Sequence, residues 1–412
     1  MDKSEVAYYL KKNHIETVNQ AAETISKVIR KTPMIESDFY SNEYDCEVYI
    51  KAENMQRTGA FKLRGAYNKI SRLEKEDAAK GVIAASAGNH AQGVAYSAKA
   101  LGLKATIVMP QITPLLKVNA TKGYGADVIL HGDVFDESNS YATSLAEKND
   151  LTFIHPFDDY DIIAGQGTIA KEILEDIPDA DMILAPIGGG GLMAGIAMYA
   201  KSVNPNIEII GIEPIGAMSM KLSLKEGSIT RLAELKTSAE GVAVKQPGDL
   251  SFALCKQYVD EVVSVSEKDI MESVLVVMEK HKLVAETAGV LGLAALRKLD
   301  VKGKKVVCVL SGGNIDTVTI SSIINEGMIS KGRIMCFSVE LPDRPGQLVA
   351  VASLLSEHGA NVIELEHNQF KALDRYSNKV VLEVTVETNG PEHIRQVLGA
   401  LEDDNYNVRR IY

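Results

Sequence analysis

The chain has 412 residues, of which 46% are hydrophobic and 24% charged, and its formal net charge is −11. This composition is typical of a globular protein of two or three domains, and the acidic balance argues against nucleic acid or an anionic membrane as partner. Four scattered cysteines without a CxxC pair argue against a disulfide framework or a zinc site, and the N-terminus has no apolar signal segment, so a cytoplasmic location is expected.

The first distinctive stretch is ENMQRTGAFKLRGA, residues 53–66. It places Lys62 directly behind an aromatic residue, Phe61, and between two glycines, Gly59 and Gly65. Most lysines lie on solvated surfaces. A lysine beside an aromatic ring, in a segment with this much backbone freedom, therefore calls for a reason other than solubility.

Strand-like and helix-like runs then alternate through most of the chain. Short apolar runs precede helix patterns, as in GVIAAS before HAQGVAYSAKALG and MILAPI before LMAGIAMYAKSV. ATIVMP, IEIIGIEP and KVVCVLSGG are further strand-like runs. This alternation predicts an α/β architecture, with parallel sheets covered by helices on both faces.

Four consecutive glycines, Gly188 to Gly191, lie between a predicted strand and a predicted helix. Backbone N–H groups at such a junction converge on an anion, aided by the helix dipole. The same stretch fits G-x-G-x-x-A, and Glu213 ends the following strand, where an acid would hold a ribose. A nicotinamide-dependent oxidoreductase is therefore an alternative hypothesis, although it offers no role for Lys62.

Two further loops follow predicted strands. SAGNHAQG, residues 86–93, presents backbone N–H groups and the amide of Asn89 to a carboxylate or an oxyanion, whereas His90 alone is more often a packed histidine than a catalyst. SGGN, residues 311–314, closes a third buried strand. Because ligands of open α/β sheets bind at the carboxyl ends of strands, these loops together with the lysine indicate a phosphorylated aldehyde cofactor held as a Schiff base.

The pattern changes near Gly327, where NEGMISKGR is typical of a linker. Beyond it, alternating strand patterns and amphipathic helix patterns follow in the order βαββαβ. This order predicts a small α+β, ferredoxin-like module with an antiparallel sheet.

Together these motifs resemble the fold-type II pyridoxal-phosphate enzymes, and most closely the threonine dehydratases (threonine ammonia-lyases). The lysine motif of that family appears as AFKLRG, with Ala60 where serine is usual, the asparagine loop as SAGNHAQG, the glycine loop as GGGGL and the late serine as SGGN. The resemblance implies two doubly wound subdomains within residues 1–327, the smaller at about 51–155. It also implies a linker at 328–332.

The resemblance further implies the site residues of a pyridoxal 5'-phosphate enzyme. Lys62 would hold the cofactor and act as the base at Cα, and Phe61 would shield the cofactor ring. Asn89 would donate to the phenolic oxygen of the cofactor, and Ser311 would bond its pyridine nitrogen. The phosphate would be held by Gly188, Gly189, Gly190, Gly191 and Leu192. The substrate would be bound by Ser86, Ala87, Gly88, Asn89 and His90.

The implied reaction is β-elimination, which converts L-threonine to 2-oxobutanoate and ammonia and L-serine to pyruvate. In serine racemases, which this fold also resembles, the corresponding pattern is S-S-G-N-H, and its second serine is the base for the opposite face of the substrate. Ala87 stands at that position in this chain. A dehydratase is therefore favoured over a racemase. Relatives often bind a cation through an acidic residue and a second acidic residue six positions later. Here the residue six positions after Glu213 is Ser219, so no metal is predicted.

The C-terminal module, residues 333–412, resembles an ACT domain with LPDRPGQL as its signature loop. The resemblance implies an amino-acid effector, isoleucine first and valine second, with Asp343, Gly346 and Gln347 as candidate regulatory residues. It also implies a homodimer or homotetramer. A catalytically inactive amino-acid sensor is the remaining alternative, which an intact lysine and phosphate loop disfavour.

Overall fold

The computed structural model describes residues 2–368 and 379–412. The chain forms two compact units, Met1–Asp316 and Thr317–Tyr412. The sequence predicted this division at residue 327. The structural boundary lies earlier because the helix Thr317–Ser330 clusters with the second unit. The expected linker 328–332 comprises the last turn of that helix and a reversal in which the Arg333 N–H donates to the Met328 carbonyl.

The first unit contains a six-stranded sheet. Its order is β1-β2-β10-β7-β8-β9, and only the edge strand β1 runs antiparallel to its neighbour. The strands are β1 (Met34–Glu36), β2 (Glu47–Ala52), β7 (Met182–Pro186), β8 (Glu208–Pro214), β9 (Glu261–Val265) and β10 (Lys305–Leu310).

A second sheet in this unit is entirely parallel and has the order β5-β4-β3-β6. Its strands are β3 (Val82–Ala85), β4 (Ala105–Met109), β5 (Asp127–Leu130) and β6 (Thr152–Phe153). Five of the ten strands, β3, β4, β7, β8 and β10, lie in apolar runs that the sequence identified. Buried Ile, Val and Ala side chains form the cores of both sheets. The α/β prediction is therefore confirmed.

Fourteen α-helices of the described chain accompany the two sheets. They are α1 (Lys3–Leu10), α2 (His14–Ile25), α3 (Asp38–Tyr44), α4 (Lys62–Ser71), α5 (Lys75–Lys80), α6 (Asn89–Leu101), α7 (Leu115–Gly123), α8 (Phe135–Asn149), α9 (Tyr160–Asp176), α10 (Gly191–Val203), α11 (Ser219–Glu226), α12 (Asp249–Tyr258), α13 (Glu267–Val276) and α14 (Leu291–Ala295).

Glycines allow close helix packing around the start of α4, where Lys62 lies. A Cβ on Gly165 of α9 would stand 2.6 Å from the Gly65 Cα, and a Cβ on Gly93 of α6 would stand 3.2 Å from the carbonyl of Lys62. Side chains larger than hydrogen would push these helices apart. The glycines of FKLRGA and NHAQG lie inside α4 and α6, so they fix the position of the lysine helix by close packing and do not form turns.

A buried ion cluster also anchors α4. The Arg64 guanidinium donates to both oxygens of Glu53 at 2.8 Å and to the two oxygens of Glu172 at 2.7 and 2.9 Å. Lys51 lies 2.6 Å from the same Glu172 carboxylate. Two cationic and two anionic side chains thus pair in the interior of the unit. Removing any one of them would leave a buried charge without full compensation.

The second unit begins with α15 (Thr317–Ser330) and continues in the order βαββαβ. The antiparallel sheet has the order β12-β13-β11-β14. Its elements are β11 (Ile334–Pro342), α16 (Gln347–Glu357), β12 (Asn361–Asn368), β13 (Lys379–Glu387), α17 (Pro391–Asp403) and β14 (Asn407–Arg410). The predicted ferredoxin-like module is confirmed. Among residues 2–368 and 379–412, no helix is long and apolar enough to cross a membrane.

Candidate active site

Lys62 begins α4, and its amine is enclosed by protein groups. Its side chain is half-buried, its Nζ donates to the Pro156 carbonyl at 2.6 Å, and Nζ lies 5.3 Å from the centre of the Phe61 ring. Burial lowers the pKa of Lys62 to about 8, an effect that the charge of Glu286 partly opposes. The amine therefore loses its proton far more readily than an exposed lysine, as a nucleophilic or basic amine requires.

The serine loop after β10 is joined directly to the lysine segment. Ala60 and Gly312 form an isolated β-bridge, the Phe61 N–H donates to the Ser311 carbonyl at 3.1 Å, and the Gly313 N–H donates to the Gly59 carbonyl at 2.8 Å. Ser311 is buried. Two motifs separated by about 250 residues of sequence thus form one wall of the site.

The glycine loop connects β7 to α10 as predicted. Gly190 has φ +98°, a left-handed conformation, and precedes the first residue of the helix. In the described part of the chain no side chain caps this helix start, so its N–H groups remain available to an anion. Leu192 lies buried in the first turn.

The segment His155–Asp158, which the sequence analysis missed, joins the lysine to the glycine loop. Pro156 accepts the hydrogen bond from Lys62, and Phe157 packs so closely that a Cβ on Gly189 would stand 2.4 Å from its ring. The Asp158 carboxylate accepts N–H groups at the start of α12, including Leu250 at 3.0 Å. The segment follows β6, a strand of two residues, which is too short to recognise by its pattern.

The asparagine loop lies between β3 and α6. The Ser86 Oγ accepts the Gly88 N–H at 3.2 Å, and Ala87 between them is half-buried. The Asn89 Nδ2 donates to the Glu286 Oε1 at 2.8 Å. The Asn89 Oδ1 is buried and has no hydrogen-bond partner among the described residues.

His90, a predicted substrate contact, is a buried histidine bonded within the protein. Its Nε2 lies 2.9 Å from the Ile154 carbonyl. Burial and then the nearby charge of Lys62 lower the pKa of His90 to about 3, so the ring is neutral at physiological pH. The structure therefore supports the more ordinary interpretation of this residue, as a packed histidine behind the loop.

Glu213, which the oxidoreductase hypothesis assigned to a ribose, is engaged elsewhere. Its two carboxylate oxygens accept the backbone N–H groups of Met220 at 2.8 Å and Lys221 at 2.9 Å, at the start of α11. Burial raises the pKa of Glu213 to about 7. The ribose assignment is wrong, because the carboxylate stabilises a helix start instead. Within the described residues no group of three His, Cys, Asp or Glu side chains suits a metal ion.

The candidate regulatory residues lie in the second unit, in the connection from β11 to α16. Asp343 and Gly346 are exposed, and Gln347 is half-buried at the first position of α16. Gly346 has φ +94°, which favours glycine at this helix start.

The lysine, the glycine loop, the asparagine loop and the serine loop all follow strands of parallel sheets at their carboxyl ends. A lysine with a lowered pKa and an open helix N-terminus fit a phosphorylated carbonyl cofactor. Residues 25–312 match the family model of the pyridoxal-phosphate dependent enzymes, and residues 337–403 match the ACT domain. The chain belongs to the pyridoxal-phosphate dependent enzyme family, and its cofactor is pyridoxal phosphate.

Within that family, the chain is similar over nearly its whole length to an L-threonine ammonia-lyase of Thermotoga maritima. The two are 45% identical over 396 residues, which is 96% of this chain and 98% of the relative. The solved structure of the processed threonine deaminase isoform 2 from Solanum lycopersicum has a TM-score of 0.75 and 38% identity, covering 80% of this chain and 90% of that one. Maize serine racemase has a TM-score of 0.72 and 34% identity, covering 76% and 98%.

Proposed function

We propose that the chain is an L-threonine ammonia-lyase, a carbon–nitrogen lyase that converts L-threonine to 2-oxobutanoate and ammonia. The observation that carries the proposal is the environment of Lys62. A half-buried amine with a pKa of about 8 lies beside Phe61, on the wall formed with the Ser311 loop. The similarity to the Thermotoga maritima enzyme over 96% of this chain supports the choice of reaction.

Lys62 is the proposed covalent anchor of pyridoxal phosphate and the base that takes the proton from the substrate Cα. The bound cofactor supplies an electron sink for the electron pair left at that carbon. Phe61 is the proposed cover of the cofactor ring, because its own ring lies beside the lysine amine.

The proposed phosphate site is the start of α10, formed by Gly188, Gly189, Gly190, Gly191 and Leu192. A Cβ on Gly191 would lie 2.6 Å from the Phe157 carbonyl oxygen, so only glycine fits there without displacing that segment. The uncapped helix start provides N–H groups and a positive dipole end for a phosphate.

Ser311 and Asn89 are the proposed polar partners of the cofactor ring. Ser311 would hold the pyridine nitrogen of the bound cofactor with its hydroxyl, which would stabilise a proton there less than a carboxylate would. Such a weak electron sink suits prompt loss of the β-hydroxyl. Asn89, with Ser86, Ala87 and Gly88, forms the proposed substrate loop at the start of α6.

Ala87 distinguishes elimination from racemisation. Its methyl group can neither give nor take a proton at the face of the substrate opposite Lys62. We therefore expect L-serine to yield pyruvate with little D-serine. L-serine is the proposed second substrate, because its β-hydroxyl is the same leaving group.

The direct test is an assay of 2-oxoacid formation from L-threonine and L-serine by the purified full-length chain, with D-serine measured in parallel. The proposal predicts oxoacid from L-threonine at the higher rate and only a minor D-serine fraction. Ala87→Ser should raise the D-serine fraction, while Ala60→Ser, a matched methyl-to-hydroxyl change beside Lys62, should not. Substantial D-serine from the unmodified chain would favour a racemase.

For the second unit, we propose control by an amino acid that binds at the start of α16, with Asp343, Gly346 and Gln347 as contacts. Isoleucine, which is made from 2-oxobutanoate, is the first candidate and valine the second. The helix start offers N–H groups to an effector carboxylate. A homodimer or homotetramer in the cytoplasm is the proposed working form.

A further inference from the structure

Glu286 has a tightly defined position in the site that none of the proposed roles uses. Its N–H donates to the Gly312 carbonyl at 3.1 Å, and its own carbonyl accepts the Gly289 N–H at 2.9 Å. A Cβ on Gly312 would lie 2.4 Å from the Glu286 Oε1, so the carboxylate rests directly on the residue after Ser311. Backbone and side chain of Glu286 are therefore both fixed against the cofactor wall.

Charged and polar groups from four other segments face this carboxylate. The Asn89 Nδ2 donates to it at 2.8 Å from the start of α6. The charges of Lys117 on α7, Glu240 in the loop before α12, and Lys62 all act on it. Burial raises the pKa of Glu286 to about 7, and the hydrogen bond from Asn89 opposes that rise.

The chemistry of the two partners restricts how the amide of Asn89 can point. An ionised carboxylate only accepts hydrogen bonds, and in an amide only the nitrogen donates. When Glu286 is ionised, the amide nitrogen must therefore face it and the oxygen must face away. The structure has this arrangement, with Nδ2 donating to Glu286 and Oδ1 left unpartnered among the described residues, and the bond from Asn89 itself favours the ionised carboxylate. Because an amide nitrogen carries two hydrogens, one stays free for a second acceptor.

We propose that Glu286 is a positioning residue that fixes the Asn89 amide so that its second N–H is presented to an acceptor oxygen of the bound cofactor. This inference rests on the proposed function, which places Asn89 against the cofactor. Glu286 itself acts through Asn89, and its negative charge also favours the protonated form of Lys62.

Two substitutions separate the hydrogen bond from the charge. Glu286→Gln retains an oxygen that accepts from Asn89 Nδ2 but removes the charge, whereas Glu286→Ala removes both. Affinity is measured by titrating the cofactor-stripped full-length chain with pyridoxal phosphate and following absorbance. We expect the dissociation constant of Glu286→Gln to stay within about threefold of the unmodified chain, and that of Glu286→Ala to rise about tenfold, as loss of one hydrogen bond typically does.

The second readout is the pKa of Lys62 in the stripped chain, from the pH dependence of its labelling by an amine-specific reagent. Both Glu286 variants should lower this pKa, because both remove the negative charge that raises it. Glu240→Gln is the control, since its charge faces Glu286 but is not among the causes of the Lys62 shift. A purely structural role would not produce equal pKa shifts in the two variants and unequal cofactor affinities.

The inference is overturned if Glu286→Ala, with an unfolding midpoint equal to that of Glu286→Gln, binds pyridoxal phosphate as tightly as the unmodified chain. It is also overturned if Glu286→Gln loses affinity as much as Glu286→Ala, because charge rather than orientation would then control binding. Failure of the proposed function is separate. In that case the unmodified chain itself would form no 2-oxoacid from L-threonine, whatever the Glu286 variants do.

Discussion

The two units of the chain use polar residues in opposite ways. In the first unit, the fully buried charged side chains Lys51, Glu53 and Arg64 belong to the ion cluster that anchors α4, the helix that begins with Lys62. In the second unit, the buried polar residues of the described chain are the threonines Thr385 and Thr388, and the core is apolar. The catalytic unit therefore holds costly buried charges that position a lysine, while the second unit needs only an alternating pattern to fold.

The largest expected effect is on turnover. Lys62→Ala should lower the rate with L-threonine by more than about 10³-fold, because the covalent anchor and the base are lost together. Ligand binding to the second unit, measured by calorimetry with isoleucine, should be unchanged. Lys75→Ala, an exposed lysine on α5, is the matched control and should retain full activity. A modest loss in Lys62→Ala would place the chemistry on another residue.

The next effect is on stability. Arg64→Met should destabilise the first unit by about 3–5 kcal/mol, because Glu53 would lose its cationic partner in the core and Glu172 would keep only Lys51. Arg72→Met, at the exposed end of the same helix, should change stability by less than about 0.5 kcal/mol. Urea unfolding followed by near-ultraviolet circular dichroism measures both variants. Equal, small effects would show that the cluster does not support α4.

A smaller effect concerns communication between the units. If the second unit is a sensor, isoleucine should raise the threonine concentration for half-maximal rate, with a coupling of about 1–3 kcal/mol, and threonine should weaken isoleucine binding by the same factor. A chain ending at Asp316, the last residue of the first unit, should remain active and ignore isoleucine. Calorimetry of the full-length chain against the common amino acids decides the question. If none of them binds outside the active site, the second unit is an assembly module and not a sensor.

The smallest expected effect has opposite signs in the two units. Gly399→Ala in α17 should stabilise the second unit by about 0.5–1 kcal/mol, because a Cβ there meets no atom within 4 Å and alanine favours a helix. The same change at Gly165 in α9 should destabilise the first unit, since its Cβ would meet the Gly65 Cα at 2.6 Å. Thermal unfolding of both variants tests this contrast, and stabilisation by Gly165→Ala would contradict the close packing of α4 and α9.

The sequence predicted the units and their fold more fully than the site. In the second unit every predicted strand and helix is present, because alternation and amphipathic patterns are local. The helix Thr317–Ser330 was not predicted, because the composition of its last residues, in NEGMISKGR, is typical of a linker.

Within the candidate site, Lys62, Asn89, Ser311 and the glycine loop were predicted from local motifs. Two contacts were not predicted, that of Lys62 with Pro156 and that of Asn89 with Glu286. The Asn89–Glu286 bond joins residues 197 positions apart, and Pro156 follows a two-residue strand. Such contacts depend on how separate strands assemble, so no single stretch of sequence carries their signal.

The most direct test of the account is borohydride reduction of the cofactor-loaded chain, followed by peptide mapping. Reduction makes the bond between cofactor and lysine permanent, so the labelled peptide identifies the anchor residue. The account predicts a single labelled peptide containing Lys62, with no labelling of the exposed Lys75 peptide. A label on any other lysine, or no label in a chain that forms 2-oxobutanoate, would contradict the assignment of Lys62.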